Sequence, residues 1–200
     1  NGFTDGAWAN GPTLISLSTG GGANSTDVRA VGSTDGSVVT AVWRTISGGL
    51  GAVYANRFSA SAWGGSPDLI SAAAASTANA QSAPAIVTNP SGAQVAVAWQ
   101  SGVSGNGQIV SSAFASGAWS GPELVSSAAA SAANASAPKL VASTDLSSVT
   151  AVWQSRNVAN GEVYASRRTA GTWAANPTLI SVAAASSTNV QSLGQVASNP

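Results

Sequence analysis

The hydrophobic positions of this chain alternate over short runs, and polar or glycine-rich segments separate the runs. The clearest run is Gln94–Gln100, in which Val95, Val97 and Trp99 share one face of an extended strand because side chains alternate with a period of two. The alanines between them make the opposite face apolar as well. A strand that is apolar on both faces is expected to be buried on both sides. The pattern therefore predicts a central strand that other layers cover.

Further runs on either side of this strand complete a unit of four predicted strands. The first, third and fourth strands are predicted at Ala85–Val87, Gln108–Phe114 and Glu123–Ser126. The segment Ser101–Gly107 is predicted to be a glycine-rich turn, and Ala128–Ala137 is predicted to be a connector. The runs are rich in Val, Ile, Thr and aromatic residues, which pleated strands favour. The unit is therefore predicted to be all-β.

This unit repeats along the chain with a period of about 55 residues. The same positions recur as Leu14, Leu69, Leu124 and Leu179, and as Asn24, Asn79, Asn134 and Asn189. All seven tryptophans fall on two more such lines, Trp8, Trp63, Trp119 and Trp173, and Trp43, Trp99 and Trp153. A residue that recurs once per unit is first of all part of the unit's architecture. The asparagine line, for example, is expected to bond backbone groups between units.

Four short antiparallel strands per unit, with a doubly buried second strand, predict a β-propeller whose blades cover one another. The predicted boundaries are 1–23 for the end of a blade, 24–78, 79–133 and 134–188 for three blades, and 189–200 for a further first strand. A row of β-sandwiches and a β-solenoid are the competing architectures. The ring as written lacks two strands, and open sheet edges invite pairing. We therefore expect a larger propeller or closure through self-association.

Several strings of the repeat resemble a known group of tandem repeats. These strings are Ala41-Val42-Trp43-Arg44, Ala98-Trp99-Gln100, Ala151-Val152-Trp153-Gln154, Val53-Tyr54-Ala55-Asn56-Arg57 and the Gly-x-Trp…Pro-x-Leu-Ile-Ser pattern. Together they resemble repeats of bacterial exported and cell-surface proteins, broadly similar to the sialidase-like, Asp-box propellers. The resemblance implies a propeller fold and a secreted or cell-surface location in bacteria. The Asp-box match is incomplete, because the Trp follows Ser33–Gly36 and Ser143–Leu146 later than in that motif.

Composition excludes several classes of function. Seven basic and seven acidic residues give no net charge, so nothing indicates a nucleic-acid partner or a basic membrane-binding face. The chain has no Cys and no His, which removes thiolate nucleophiles, disulfides and the commonest general base and metal ligand. No apolar stretch reaches the roughly 18 residues of a membrane span. We expect no membrane insertion, no cofactor and no metal, with a calcium site as an open alternative.

The acidic residues offer a weak case for an enzyme. A glycosidase needs two carboxylates at a defined separation. The repeat accounts for Asp35 with Asp145, and for Asp68 with Glu123, because each pair occupies one phase of the unit. The best remaining set is Glu162, Tyr164 and Arg167, which a fragment of a sialidase-type, glycan-processing enzyme could use. The sequence favours a non-enzymatic protein, since the equivalent Tyr54 has no acid two residues before it.

The tryptophans that precede the fourth strand are the best candidates for ligand binding. Trp8, Trp63, Trp119 and Trp173 lie in predicted turns, which are more often functional than core positions. One aromatic platform per blade would make a multivalent, lectin-like ring. The alternative is that the rings are buried against the prolines that follow them. We therefore expect an extracellular binding or adhesion module for a glycan or a protein, or else a structural repeat of a surface assembly.

Overall fold

The computed structural model describes residues 2–4, 7–9, 13–16, 24–47, 50–72, 79–103, 106–127, 134–157, 160–181 and 197. Every regular element in these ranges is a β-strand, and all the pairings between strands are antiparallel. The prediction of an all-β chain built from four-stranded antiparallel sheets is confirmed. The predicted segment 189–200 lies outside the described residues except for Ala197.

The strands form one short hairpin and three sheets of the same plan. The hairpin consists of β1 (Gly2–Thr4) and β2 (Ala7–Ala9). Sheet I consists of β3 (Asn24–Gly32), β4 (Val39–Ser47), β5 (Leu50–Ser59), β6 (Ala62–Trp63) and β7 (Asp68–Leu69). Sheet II consists of β8 (Asn79–Thr88), β9 (Val95–Val103), β10 (Asn106–Ala115), β11 (Ala118–Trp119) and β12 (Glu123–Leu124). Sheet III consists of β13 (Asn134–Ala142), β14 (Ser148–Asn157), β15 (Asn160–Thr169), β16 (Thr172–Trp173) and β17 (Thr178–Leu179).

The fourth row of each sheet is divided into two short strands. In sheet I the order is β3-β4-β5-β6, and β7 also pairs with β5. Sheets II and III repeat this arrangement with β11 and β12 on β10 and with β16 and β17 on β15. The sequence predicted only the second of the two short strands. It missed the first because a two-residue strand directly after a tight turn carries no alternation of its own.

Two predicted irregular segments are wrong in part. The predicted turn Ser101–Gly107 is mostly strand, because β9 and β10 continue their ladder until Val103 pairs with Asn106. The predicted connector Ala128–Ala137 overlaps the start of β13, where Asn134 pairs with Arg156. In both places small and polar residues suggested loops, but a neighbouring strand satisfies their backbone groups, and this context outweighs local propensity.

The three sheets stack face to face through their second and third strands. One apolar cluster joins Val53 and Ile70 of sheet I to Val97 and Trp99 of sheet II. A second cluster joins the other face of sheet II to sheet III and includes Trp153. Trp99 and Trp153 are fully buried. The second strands are therefore covered on both faces, as their sequence predicts.

Glycines let the first strand of one sheet lie directly against the third strand of the preceding sheet. A Cβ atom at Gly107 would collide with the Ala135 carbonyl oxygen, and one at Gly51 would collide with the Gln81 carbonyl oxygen. At the same place the Asn134 side-chain oxygen accepts a hydrogen bond from the Gly107 N–H at 2.8 Å. This asparagine bonds backbone between sheets, as expected for its line in the repeat.

The serine of the Leu-Ile/Val-Ser line fixes the outer strand to the third strand. The hydroxyl oxygens of Ser71, Ser126 and Ser181 accept hydrogen bonds of 2.9, 3.0 and 3.0 Å from the N–H groups of Val53, Ile109 and Val163. Ser71 and Ser126 are fully buried. Because a buried N–H without an acceptor is costly, this serine closes the ladder where β7 and β12 end.

We predict that Ser126→Ala lowers the free energy of unfolding by about 1–3 kcal/mol, because it leaves the buried Ile109 N–H without an acceptor. Urea denaturation followed by tryptophan fluorescence measures the change. Ser127→Ala is the matched control: this neighbouring hydroxyl is exposed and donates to a carbonyl group. Equal losses for the two variants would contradict the role given to Ser126.

Candidate functional site

The candidate tryptophans do not lie in turns. Trp63, Trp119 and Trp173 end the short strands β6, β11 and β16, directly after a tight turn. Trp8 lies on β2, where its backbone pairs with Phe3, and its side chain is outside the described part. The three described rings occupy equivalent places at the edge of each sheet that carries the two short strands. We call this edge the rim. These tryptophans therefore have a structural role in the sheets, whether or not they also bind a ligand.

These rings differ in how far the protein covers them. Trp63 contacts Phe58 edge to face with 5.7 Å between ring centroids, and Trp119 contacts Phe114 in the same way at 5.4 Å. Both indoles are half-buried, whereas Trp173 is only 9% exposed. Trp173 cannot serve as an open stacking platform in this structure, whereas Trp63 and Trp119 keep part of their surface accessible.

The indole nitrogens of Trp173 and Trp119 also differ in their hydrogen bonding. Trp173 donates a 2.7 Å hydrogen bond to the Ser111 hydroxyl of the preceding sheet. The buried Nε1 of Trp119 has no partner among the described residues. Ser111 directly follows the β10 residue that pairs with Trp99, and in sheet I the corresponding position is Ala55, which has no hydroxyl.

A second bond distinguishes the same two interfaces. The Ser127 hydroxyl of sheet II donates a 2.6 Å hydrogen bond to the Ala175 carbonyl of sheet III. By the repeat, the corresponding residues of sheets I and II are Ala72 and Gly121. Ala72 again lacks the hydroxyl. The rim between sheets II and III therefore has two side-chain hydrogen bonds, which we call the rim bonds. Between sheets I and II, alanines stand at the positions of both serines.

A groove of about 500 Å³ lies at the rim between sheets I and II, where the two rim bonds are not repeated among the described residues. Its walls are the outer edge of sheet I around Asp68 and Leu69, and the hairpin of sheet II that carries Trp119. Asp68 is exposed, and Leu69 is 41% exposed. The equivalent acid in sheet II, Glu123, instead lies 3.9 Å from Arg168 in an ion pair. The groove thus combines an accessible carboxylate with apolar and aromatic walls.

The first strands of all three sheets line a second cavity, which we call the central pocket. Its volume is about 390 Å³, and it is lined by residues 29–31, 83–86 and 137–140 of β3, β8 and β13. Each strand has a β-bulge here, because its register shifts just before Arg29, Ala85 and Lys139. The bulges place the same repeat position of three strands around one cavity, and two of these positions are basic.

The bulges hold non-glycine residues in a left-handed conformation. The φ angles are 55° at Asp27, 52° at Ala83 and 50° at Ala137. Such angles cost of order 1–3 kcal/mol and persist where the surrounding structure imposes them, often at functional sites. Pro84 and Pro138 follow the two alanines and remove backbone donors from open strand edges, which also protects those edges from pairing.

The residues suggested for an enzyme are only partly brought together. The Tyr164 hydroxyl donates a 2.8 Å hydrogen bond to the Glu162 carboxylate. Burial and this bond raise the pKa of Tyr164 to about 12, which opposes formation of a phenolate nucleophile. Arg167 lies on the opposite face of β15, where it donates to the Ser148 hydroxyl. The arginine is therefore not placed to act with the other two.

Asp35 and Asp145 complete turns. The hydroxyl of Ser33 donates a 2.6 Å bond to Asp35, and that of Ser143 donates a 2.7 Å bond to Asp145. These bonds, with others from the following serines, lower the pKa of both carboxyls to about 2. Within the described ranges, no three acidic, His or Cys side chains are grouped where they could hold a metal ion.

Sequence reasoning missed the residues that make one rim interface differ from the other. Ser111 and Ser127, with their counterparts Ala55 and Ala72, were not singled out. Their signal was present as departures from the repeat: within two equivalent lines, one unit has Ser where another has Ala. Glycines such as Gly107 were similarly hidden among the many turn glycines.

We predict that Ala55→Ser raises the free energy of unfolding by about 0.5–1.5 kcal/mol, because the new hydroxyl can accept a bond from the buried Trp119 Nε1. Conversely, Ser111→Ala should lower it by about 1–3 kcal/mol, because it removes the partner of Trp173. Chemical denaturation of both variants measures the pair, with Ala165→Ser as the control at the same position of sheet III. A stabilisation that Ala165→Ser matches would count against the proposed partner.

We also predict a titration. The folded-state pKa of Asp35 is about 2, below its ordinary 3.8, so the charged form stabilises the turn above about pH 4 and that contribution is lost as the pH falls through about 2. Carboxyl chemical shifts from NMR should show a midpoint near 2, and Ser33→Ala should move it towards 3.8. An Asp35 midpoint near 3.8 in the unaltered protein would contradict the turn geometry.

Comparisons with known proteins assign no function to these sites. Neither a family model nor a curated protein matches the chain. In the described ranges, no helix is long and apolar enough to cross a membrane. The case for function therefore depends on the two cavities and on the side chains that line them.

Proposed function

We propose that this chain is a non-enzymatic, extracellular binding or adhesion module of bacterial origin, whose ligand is a glycan or a protein. The observation that carries the proposal is the central pocket, where three equivalent strands converge on one cavity. Its volume of about 390 Å³ lies within the range of ligand sites. The secreted or cell-surface location is supported by the resemblance of the repeat strings.

The lining of the central pocket favours binding over catalysis. Among the described residues that line it, Arg29 and Lys139 are the only ionisable ones, and none carries a carboxylate, hydroxyl or phenol. Lys139 is the one potential nucleophile in this described lining, and no acid or base lies beside it there to activate it or to move a proton, so the lining suits binding better than catalysis. Two cations with no acid among the lining residues favour a ligand that carries an anionic group, such as an acidic sugar or an acidic peptide segment.

A propeller arrangement fits this proposal. The first strand of sheet II contacts the first strands of sheets I and III, and each sheet packs its face on the next. Adjacent first strands around a shared cavity are expected for blades around an axis. Further blades, from a larger propeller or from self-association, would enclose the pocket more fully.

Two alternatives each have one observation in their favour. For a fragment of a sialidase-type enzyme, the observation is an acid in contact with a tyrosine hydroxyl, Glu162 and Tyr164 at 2.8 Å; the raised pKa of Tyr164 and the position of Arg167 count against it. The exposure of Ile180 favours a structural repeat of a surface assembly: this residue is 53% exposed, whereas the equivalent Ile70 and Val125 are 3% and 0% exposed beneath the next sheet. An apolar side chain so placed suits contact with a further repeat.

We predict that the double variant Arg29→Ala/Lys139→Ala weakens binding of an acidic ligand at least ten-fold, because it removes both charges of the central pocket. A glycan array with uronate and sulfated sugars, together with an acidic peptide library, selects the ligand, and titration calorimetry measures the affinity. Arg167→Ala, an exposed cation elsewhere, is the control and should leave binding unchanged.

Three results would contradict the proposal. Absence of any ligand on the array and in the peptide library would favour the structural repeat. An equal loss of affinity with Arg167→Ala would show that the overall positive charge of the protein, and not the central pocket, determines binding. Turnover of a sialoside that Tyr164→Phe abolishes would establish the enzyme instead.

A further inference from the structure

We infer that the groove between sheets I and II is a second binding site, and that it takes an uncharged sugar ring of an oligosaccharide. The inference rests on the proposed binding function and adds a site and a ligand class to it. It starts from a difference between two interfaces that the repeat makes equivalent. One interface has two hydrogen bonds at its rim that the described residues of the other do not repeat.

The open state follows from two substitutions between equivalent positions. Ser111 and Ser127 supply the hydroxyls that bond the rim of sheet II to Trp173 and Ala175 of sheet III. Sheet I has Ala55 and Ala72 in their places, and Ala72 lines the groove. Among the described residues, no hydroxyl bond like that of Ser127 joins the edge of sheet I to the hairpin of sheet II. The contact at this interface is Arg57 over the Phe114 ring at 4.1 Å, and about 500 Å³ stays accessible beside it.

The walls of the groove suit a sugar ring. Sugars present apolar C–H faces and hydroxyl groups, so sites for them combine an aromatic or apolar wall with a few polar acceptors. Trp119, Leu69 and Pro122 supply the apolar wall, and Asp68 supplies a carboxylate that can accept hydroxyl hydrogens. Glycines at 117 and 121 leave backbone groups unshielded beside the ring.

Charge decides which sugars fit. Among the described residues that line the groove, Asp68 is the only ionisable one, so this lining is negative and disfavours uronates, sulfated sugars and other anions. In the equivalent place of sheet II the acid is paired with Arg168, whereas no ion pair engages Asp68 among the described residues. The groove and the basic central pocket therefore select ligands of different charge.

The experiment uses the whole chain and three uncharged probes, the hexasaccharides of β-1,4-linked glucose, N-acetylglucosamine and mannose. We expect titration calorimetry to detect binding of at least one of them, and Asp68→Asn to weaken that binding at least ten-fold. The decisive variant is Ala55→Ser/Ala72→Ser, which recreates the two rim hydroxyls of sheet II. It should abolish binding while the thermal midpoint stays equal or rises.

The controls separate this inference from the function on which it rests. Glu123→Gln at the closed interface and Arg29→Ala/Lys139→Ala in the central pocket should leave hexasaccharide binding unchanged. The inference is wrong if no hexasaccharide binds, or if binding survives in the Ala55→Ser/Ala72→Ser variant. If acidic ligands still bind and depend on Arg29 and Lys139, the proposed function stands while the groove is excluded.

Discussion

Burial of each sheet on both faces is the constraint on which the rest of this structure depends. The second strands carry apolar residues on both sides, and Trp99 and Trp153 have no exposed surface at all. A sheet of this kind cannot end in water on either face without exposing a large apolar area. Stacking is therefore obligatory, and it supplies most of the stabilisation through the two apolar clusters that join the sheets.

Close stacking requires small residues at a few defined points. Gly51 and Gly107 allow the first strand of the following sheet to touch the third strand of the preceding one, and Asn134 bonds the contact at 2.8 Å. This contact sets where each first strand begins relative to its neighbour. Because β13 lines the central pocket, the position of Lys139 at that cavity depends on Gly107, which lies outside it.

The sequence was enough for the all-β class and for the double burial of the second strands, because period-two alternation and the repeat report directly on side-chain environment. The candidate site was harder to predict. Trp119 and Trp173 occupy equivalent positions, and yet only the Trp173 Nε1 has a partner among the described residues. That partner, Ser111, is far away in sequence on a neighbouring sheet. The residues around a tryptophan in the sequence do not indicate which distant residue will contact its indole nitrogen. The β-bulges were equally hidden, since Ala83 and Ala137 adopt left-handed angles that alanine does not favour.

A repeated fold can vary its rim without endangering its core, and the two rim interfaces show how small the required change is. The loss of two hydroxyls, each worth about 0.5–1.5 kcal/mol as a bond, is slight beside the burial of whole sheet faces. Ala55 and Ala72 therefore leave the stacking of sheets I and II intact while they open its edge. The Trp119 Nε1 has no partner in the described part of the chain, which is a stability cost at this edge; the bond between Trp173 and Ser111 indicates that a serine would remove it. If the groove binds a sugar as proposed, this cost is expected, because function commonly keeps sites below their optimal stability.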